Sequence, residues 1–346
     1  MLQSNSQHES PPNTITGSEA VLVYDVGGSH VSAAVCIAPA CILRGISRAP
    51  LTDAVNHHHS NPAFGFVRLL HALGHRAADN AGIPLSAIAG AGIAMPGPFD
   101  YEHGISQMQH KLLGLFGVDL KSAIATRFSW QPSQVRFVND AAAYLLGEMS
   151  TGAARGSSRA IGITLGTGIG CAFGINDGSA PHVVTSGPGV PSGGEIWNLP
   201  YNGATVEDFV STRFLRQQFQ SVTGNAAEVS EIATIAASSS QNCPGLDDML
   251  AVRPSVSNPA DPDSPYCRAR QAFNAFGRHL GQALILYAAP FAPDIIVLGG
   301  GISRAAPLFL PATRHSLDSF APKIAISALM DDAPLAGAGV NWFTGQ

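Results

Sequence analysis

The sequence predicts an α/β fold of two related lobes. Short apolar runs ending in glycine turns alternate with stretches of helical spacing. One unit, an apolar run followed by a glycine turn and a second apolar run, occurs near residue 20 and again near residue 160. The chain has 346 residues, room for two domains at roughly 150 residues each.

The elements follow in order. Ala20 to Tyr24 is a strand that runs into Asp25-Val26-Gly27-Gly28-Ser29, and His30 to Ile37 returns as the second arm of a hairpin. Pro62 to Ala81 has helical spacing, with Phe66, Leu69, Leu70 and Leu73 on one face. Ile88 to Ala94 is a strand leading into Met95-Pro96-Gly97-Pro98. Val135 to Val138 is a strand ending in Asn139-Asp140, with a helix over Ala141 to Met149. The opening unit then recurs: strand Ala160 to Leu165, turn Gly166-Thr167-Gly168, strand Cys171 to Ile175. A helix is expected over Phe209 to Phe219, a loop over Pro254 to Pro265 and a long helix over Arg268 to Ala289. Asp294 to Leu298 is a buried strand entering Gly299-Gly300-Gly301, and Leu335 to Phe343 closes the chain as a small-residue helix.

Composition excludes several partners. Hydrophobic residues make up 45% and charged residues 12%, which suits a folded chain and not a disordered one. The net charge is −5 with no basic block, so no nucleic-acid partner is expected. No apolar run nears the ~20 residues that span a bilayer, so no membrane role is expected either. Residues 1–18 are polar and read as a flexible tail, not a secretion signal. Five cysteines, an odd number with no C-x-x-C pair, fit reduced thiols in the cytoplasm and no structural zinc. His57-His58-His59 reads as a solvated loop, and His71 and His75 as a helix surface.

Three glycine turns, each after an apolar strand, can bring backbone N–H groups against phosphate oxygens. Any one alone is more simply a chain reversal. Asp25, at a strand end beside the first turn, is placed to hold Mg²⁺ through water or, more plainly, to cap the turn. Asp140, at a strand end before a helix, suits a base for a hydroxyl nucleophile, and Asn139 suits a hydroxyl ligand. Both residues would serve equally as helix N-caps. Glu195 and Glu207 can accept hydrogen bonds from a polyol, or can be solvated surface charges.

As a set, these segments resemble the ROK family, a group of sugar kinases and repressors within the sugar kinase, chaperone and actin superfamily. Asp25-Val26-Gly27-Gly28-Ser29 resembles its first phosphate motif and Leu165-Gly166-Thr167-Gly168-Ile169-Gly170 its second. The run from Asp294 through Gly299-Gly300-Gly301 to Ser303 is similar to its adenosine-side motif. Phe137-Val138-Asn139-Asp140-Ala141 is similar to the segment with the family's catalytic Asp, and Met95-Pro96-Gly97-Pro98 to the loop beside the sugar.

The resemblance implies a two-domain actin-like ATPase (ribonuclease H-like) fold of duplicated mixed sheets flanked by helices. The implied lobes are 19–139, with the C-terminal helix at 333–346 as its candidate completion, and 140–332. It implies transfer of the ATP γ-phosphoryl, with Mg²⁺, to a hexose, with the glucose 6-hydroxyl as the default. N-acetylmannosamine, N-acetylglucosamine and fructose are alternative acceptors, and polyphosphate an alternative donor. A homodimer is implied by the same association. Asp140 would be the catalytic base, and Gly97, Asn139, Glu195, Asn198 and Glu207 would hold the sugar. Gly27, Gly28, Ser29, Gly166, Thr167 and Gly168 would cradle phosphate, and Gly299, Gly300 and Gly301 would line the nucleoside. Where the family has Gly-His after its Glu-x, this chain has Trp197-Asn198, and the cysteine-rich zinc motif is missing between Leu199 and Val206. The segment Gln107-Met108-Gln109-His110-Lys111 also departs from the family pattern. A non-catalytic sugar sensor of the same family is the competing expectation. Only about 20 residues precede the first phosphate strand, fewer than the roughly 60 of a DNA-binding helix-turn-helix extension.

Overall fold

The computed structural model describes residues 19–51, 62–109, 111–178, 180–238, 243 and 261–345. The expected tail at 1–18, the run His57-His58-His59, His110 and residues 254–260 of the expected loop lie outside them. The elements run β1 (Ala20–Val26), β2 (His30–Ile37), β3 (Ile42–Pro50), α1 (Pro62–Ala81), β4 (Ala91–Met95), β5 (Phe99–Asp100), β6 (Ile105–Ser106), α2 (Leu120–Phe128), β7 (Val135–Asn139) and α3 (Asp140–Ser150). They continue with β8 (Arg159–Leu165), β9 (Ile169–Ile175), β10 (His182–Val184), β11 (Pro200–Tyr201), β12 (Ala204–Thr205), α4 (Val206–Phe209), α5 (Thr212–Thr223) and α6 (Val229–Ala237). The last are α7 (Pro265–Tyr287), β13 (Ile295–Gly299), α8 (Ala306–Ser316), β14 (Lys323–Ile326) and α9 (Ala333–Thr344).

Two five-stranded sheets carry the fold, ordered β3-β2-β1-β4-β7 and β10-β9-β8-β13-β14. In the first, β1 is antiparallel to β2 and parallel to β4, and β4 is parallel to β7. In the second, β8 is antiparallel to β9 and parallel to β13, and β13 is parallel to β14. Order and orientation agree strand for strand. The repeated unit in the sequence is therefore the visible part of a duplicated mixed sheet.

Helices cover each sheet because their apolar faces need burial. Phe66, Leu70 and Leu73 of α1 and Ile124 and Phe128 of α2 form one core against the first sheet. Helix α9 covers the other face of that sheet. Helix α3 lies on β8 and β9, and α5, α7 and α8 fill the far side of the second sheet. Helices α3 and α9 also pack on each other, so the two sheets enclose a helix pair. Small residues permit this approach: a Cβ at Gly337 would collide with the Ala143 carbonyl, and one at Gly147 with that of Ala333.

Parallel strands share one direction, so β1, β4 and β7 end at one sheet edge. The register sets Asp25 beside Ala94 and Met95 beside Asn139. That edge, where strand carboxyl ends meet a crevice, is where open α/β sheets bind ligands.

Two expectations need correction. The single helix over Phe209–Phe219 is broken into α4 and α5, because the Ser211 hydroxyl accepts from the Phe214 N–H at 3.4 Å and caps a new start. The thiols are not all reduced. Cys36–Cys41 and Cys243–Cys267 are disulfides, with Cα separations of 5.2 and 5.4 Å. Among the described residues Cys171 is the free thiol, and it is buried. Spacing alone hides both pairs: the β2–β3 turn folds Cys41 back beside Cys36, and the first turn of α7 brings Cys267 to Cys243.

Candidate active site

Strand β1 delivers Asp25 to the sheet edge, and the turn after it closes with the Gly27 N–H donating to the His30 carbonyl at 3.0 Å. Gly28 and Ser29 stand exposed at the tip. The Asp25 carboxyl is pushed up to about 7, first by burial, then by the charges of Asp140 and Asp331, against the pull of Arg48. Asp25 and Asp140 thus lie along one sheet edge, near enough for the charge of Asp140 to act on Asp25. Arg48 on β3 lies 3.9 Å from Asp331 and 3.7 Å from Asp332, and Arg304 lies 2.9 Å from Asp331.

Asn139 ends β7 and caps α3: its Oδ1 accepts from the N–H groups of Ala141 at 2.9 Å and Ala142 at 3.1 Å. The capping reading of this residue is correct, and it leaves the amide nitrogen to face the cleft. That nitrogen donates to the Tyr101 hydroxyl at 3.1 Å, which donates to the Met95 carbonyl at 3.1 Å. Burial raises the Tyr101 phenol, and the nearby charges of Asp140 and Glu195 add to the rise. Tyr101 therefore sits among three expected site residues, and Gly97 lies against its hydroxyl. Sequence reasoning missed it. The signal was an aromatic residue three positions after Pro98, at the tip of the β5–β6 hairpin.

Glu195 lines the cleft, and the Trp197 indole N–H donates to its Oε2 at 2.5 Å. The Trp at the family's glycine position thus turns back onto the carboxylate expected to bind sugar. Asn198 is exposed. Glu207 stands elsewhere than a simple sugar loop suggests. Its Oε2 accepts from the Ile169 N–H at 3.2 Å, beneath the second glycine turn, while its own N–H donates to the Trp197 carbonyl at 3.0 Å. A Cβ at Gly168 would meet the Glu207 carboxylate and require that side chain to move.

The second turn is anchored from α5. Both the hydroxyl and the N–H of Thr212 donate to the Gly166 carbonyl at 2.9 Å, a contact the sequence did not announce. The third turn sits directly on the second. Gly300 has φ of 80°, and any Cβ there would strike the backbone of Leu165, the residue before Gly166. Gly299 packs against the ring of Tyr144, which lies on α3 one turn after Asp140. One helix thereby links the expected base to the expected nucleoside motif.

Between the lobes is a cleft of about 570 Å³ lined by Tyr101, Asn139 and Glu195 among others. Asp25, a hard oxygen donor beside a glycine turn, fits a hydrated Mg²⁺ shared with phosphate. Among the described residues no cluster of three or more His, Cys, Asp and Glu is set to hold a metal, and no helix is long and apolar enough to cross a membrane. The His71 and His75 rings lie 4.5 Å apart on α1, and His71 also packs on Phe128.

Comparison with known proteins agrees with this geometry. The family model described as the ROK family matches residues 52–250. The glucokinase of Thermotoga maritima is 28% identical over 273 residues, 71% of this chain and 77% of its own. A ROK family glucokinase from Streptomyces griseus, solved with glucose and AMPPNP, superposes with a TM-score of 0.65 at 20% identity, covering 92% of this chain and 97% of its own. A ROK family transcriptional regulator, described as a homologue of the E. coli MLC protein, superposes with a TM-score of 0.69 at 17% identity, covering 94% of this chain and 78% of its own.

Proposed function

The chain belongs to the ROK family, and on that premise we propose that it is an ATP-dependent sugar kinase acting on a hexose. The observation that carries the proposal is the shared sheet edge at which β1 ends in Asp25 beside the first glycine turn and β7 runs into Asp140, with Asn139 and Glu195 lining the adjoining cleft. In this reading the lobes divide at 139/140, and α9 completes the first.

Phosphoryl transfer asks for alignment and for neutralisation of charge, with little covalent help. Asp140 accepts the proton of the attacking hydroxyl. Asn139, fixed by the α3 cap and by Tyr101, together with Glu195, Gly97 and Asn198, holds the acceptor. Glu207 acts at the border of the acceptor and the second turn. N–H groups of the turns at Gly27–Ser29 and Gly166–Gly168 receive the phosphates, and Gly299–Gly301 receives the nucleoside. Asp25 would hold Mg²⁺ through water, and the ion would screen the phosphate charge. Glucose is the first acceptor to test, supported by the relatives described as glucokinases and by the glucose-bound S. griseus neighbour. Its 6-hydroxyl follows from the family resemblance. A homodimer is part of the proposal.

One observation favours a second reading. Trp197 already occupies an oxygen of Glu195, and one neighbour of like fold is a regulator. A sugar-binding protein without turnover would use the same cleft. A coupled ADP-release screen over glucose, fructose, mannose, N-acetylglucosamine and N-acetylmannosamine separates the two. The kinase reading expects Mg²⁺-dependent release with at least one sugar. Sugar binding without release from any would replace it with the sensor.

A further inference from the structure

The cleft extends beyond the place where a hexose would react. None of the glycines of the three turns lines it. From Asn139 and Glu195 it runs the other way, along the edge strand β7, to Arg136 and to Asn341 on α9. At the ~30 Å³ that one molecule of liquid water occupies, 570 Å³ holds on the order of 19 heavy atoms, against twelve in a hexose.

This distal end is rich in donors. Asn341 is 3% exposed, and its Nδ2 has no hydrogen-bond partner. Arg136 gives Nη1 to the Trp342 carbonyl at 3.0 Å, and Lys121 gives Nζ to the Glu102 carbonyl at 2.7 Å. Among the described residues neither cation has a carboxylate within 4.0 Å. Among the described residues the acids that line the cleft are Glu195 and the exposed Glu102. Val138, Ala172 and Val183 form an apolar wall. A buried amide left unpaired is unfavourable, so a ligand oxygen that engages it is selected over ligands that lack one.

We propose that this distal half is a second subsite. It takes an acceptor sugar extended, at the end away from the transferred phosphoryl, by a group rich in hydrogen-bond-accepting oxygens. A second glycosyl ring and an anionic substituent share that chemistry. The proposal rests on the sugar-kinase reading for the orientation of the acceptor.

Calorimetric titration of the whole chain with glucose, cellobiose and glucose 1-phosphate tests it, the two extended probes separating the glycosyl from the anionic source. At least one extended probe is expected to bind about tenfold or more tighter than glucose. Asn341→Leu should reduce that advantage severalfold or more. Val183→Phe should remove it by filling the groove and leave glucose affinity unchanged. Thermal melting of each variant checks that it folds. Glucose binding with no gain for either extended probe, or a gain that survives both variants, overturns the subsite and leaves the kinase reading standing. Extended probes that bind where glucose does not support the subsite. No binding of any sugar overturns both.

Discussion

The two sheets have the same strand order and directions, yet at their corresponding strand ends the first carries acids and the second does not. Two residues before the first glycine of the turn, β1 has Asp25 where β8 has Thr164. Beyond the edge parallel strand, β7 ends in Asn139-Asp140, while β14 is followed by Ser327-Ala328. Beyond the middle parallel strand, β4 gives Met95-Pro96-Gly97 and β13 gives Gly299-Gly300-Gly301. The difference teaches how a duplicated scaffold divides its labour. The strand end that meets a hydroxyl supplies the proton acceptor, while the second glycine turn takes its nearby carboxylate, Glu207, from α4 and ties it to the Ile169 N–H. Ser327, just past the edge strand of the second sheet, serves structure instead. It donates to the buried carboxylate of Glu148 and accepts from the Met330 N–H at 2.6 Å, pinning the turn that leads into α9.

Substitutions at matched positions break or sharpen this contrast. Asp140→Asn should lower kcat by at least ~10²-fold with the melting temperature little changed. Near-normal turnover would remove Asp140 from its role. At the same edge of the second sheet, Ser327→Ala should spare kcat and cost about 1 kcal/mol of stability, read by denaturant titration.

Gly300→Ala comes next. The new Cβ meets the Leu165 backbone at a positive φ, so a loss of roughly 1–3 kcal/mol is expected. KM for ATP should rise more than KM for sugar.

Asp25 carries the third contrast. Its carboxyl titrates near 7 in the fold and near 3.8 when free. A folded value above the unfolded one means the native state holds more protons between these limits. Stability of the metal-free chain should therefore fall as pH rises from about 4 to 7, by at most ~4 kcal/mol. Asp25→Asn should flatten that slope, and Thr164→Ala should not. Melting curves across this pH range, without divalent metal, read both.

The smallest effect is expected at Trp197→Phe, which keeps a ring and removes the N–H on Glu195. KM for sugar should change severalfold while KM for ATP stays put, by the scale of one hydrogen bond to a charge.

Much of this was legible in the sequence because the signals are local. The β1–β2 and β8–β9 hairpins announce themselves by apolar runs around glycine, and α1 by its spacing, with bounds that match at Pro62 and Ala81. What stayed hidden depends on contacts across the fold. Strand β3 alternates with exposed Ile42 and Ile46, which masks its pairing to β2. Helix α8 contains Pro311 and so reads as broken. Tyr101, Thr212 and Tyr144 gain meaning only once β7, α5 and α3 set them beside Asn139, Gly166 and Gly299. The Trp197–Glu195 bond was foreshadowed by an unusual residue, but its direction came from the fold.

The most direct test is a crystal structure of the chain with a phosphorylatable sugar and a non-hydrolysable ATP analogue. The account predicts one Asp140 carboxylate oxygen about 2.6–3.2 Å from a sugar hydroxyl that faces the γ-phosphoryl group. A sugar hydroxyl aligned on the phosphoryl group with Asp140 turned to solvent, or with another side chain in its place, would contradict it.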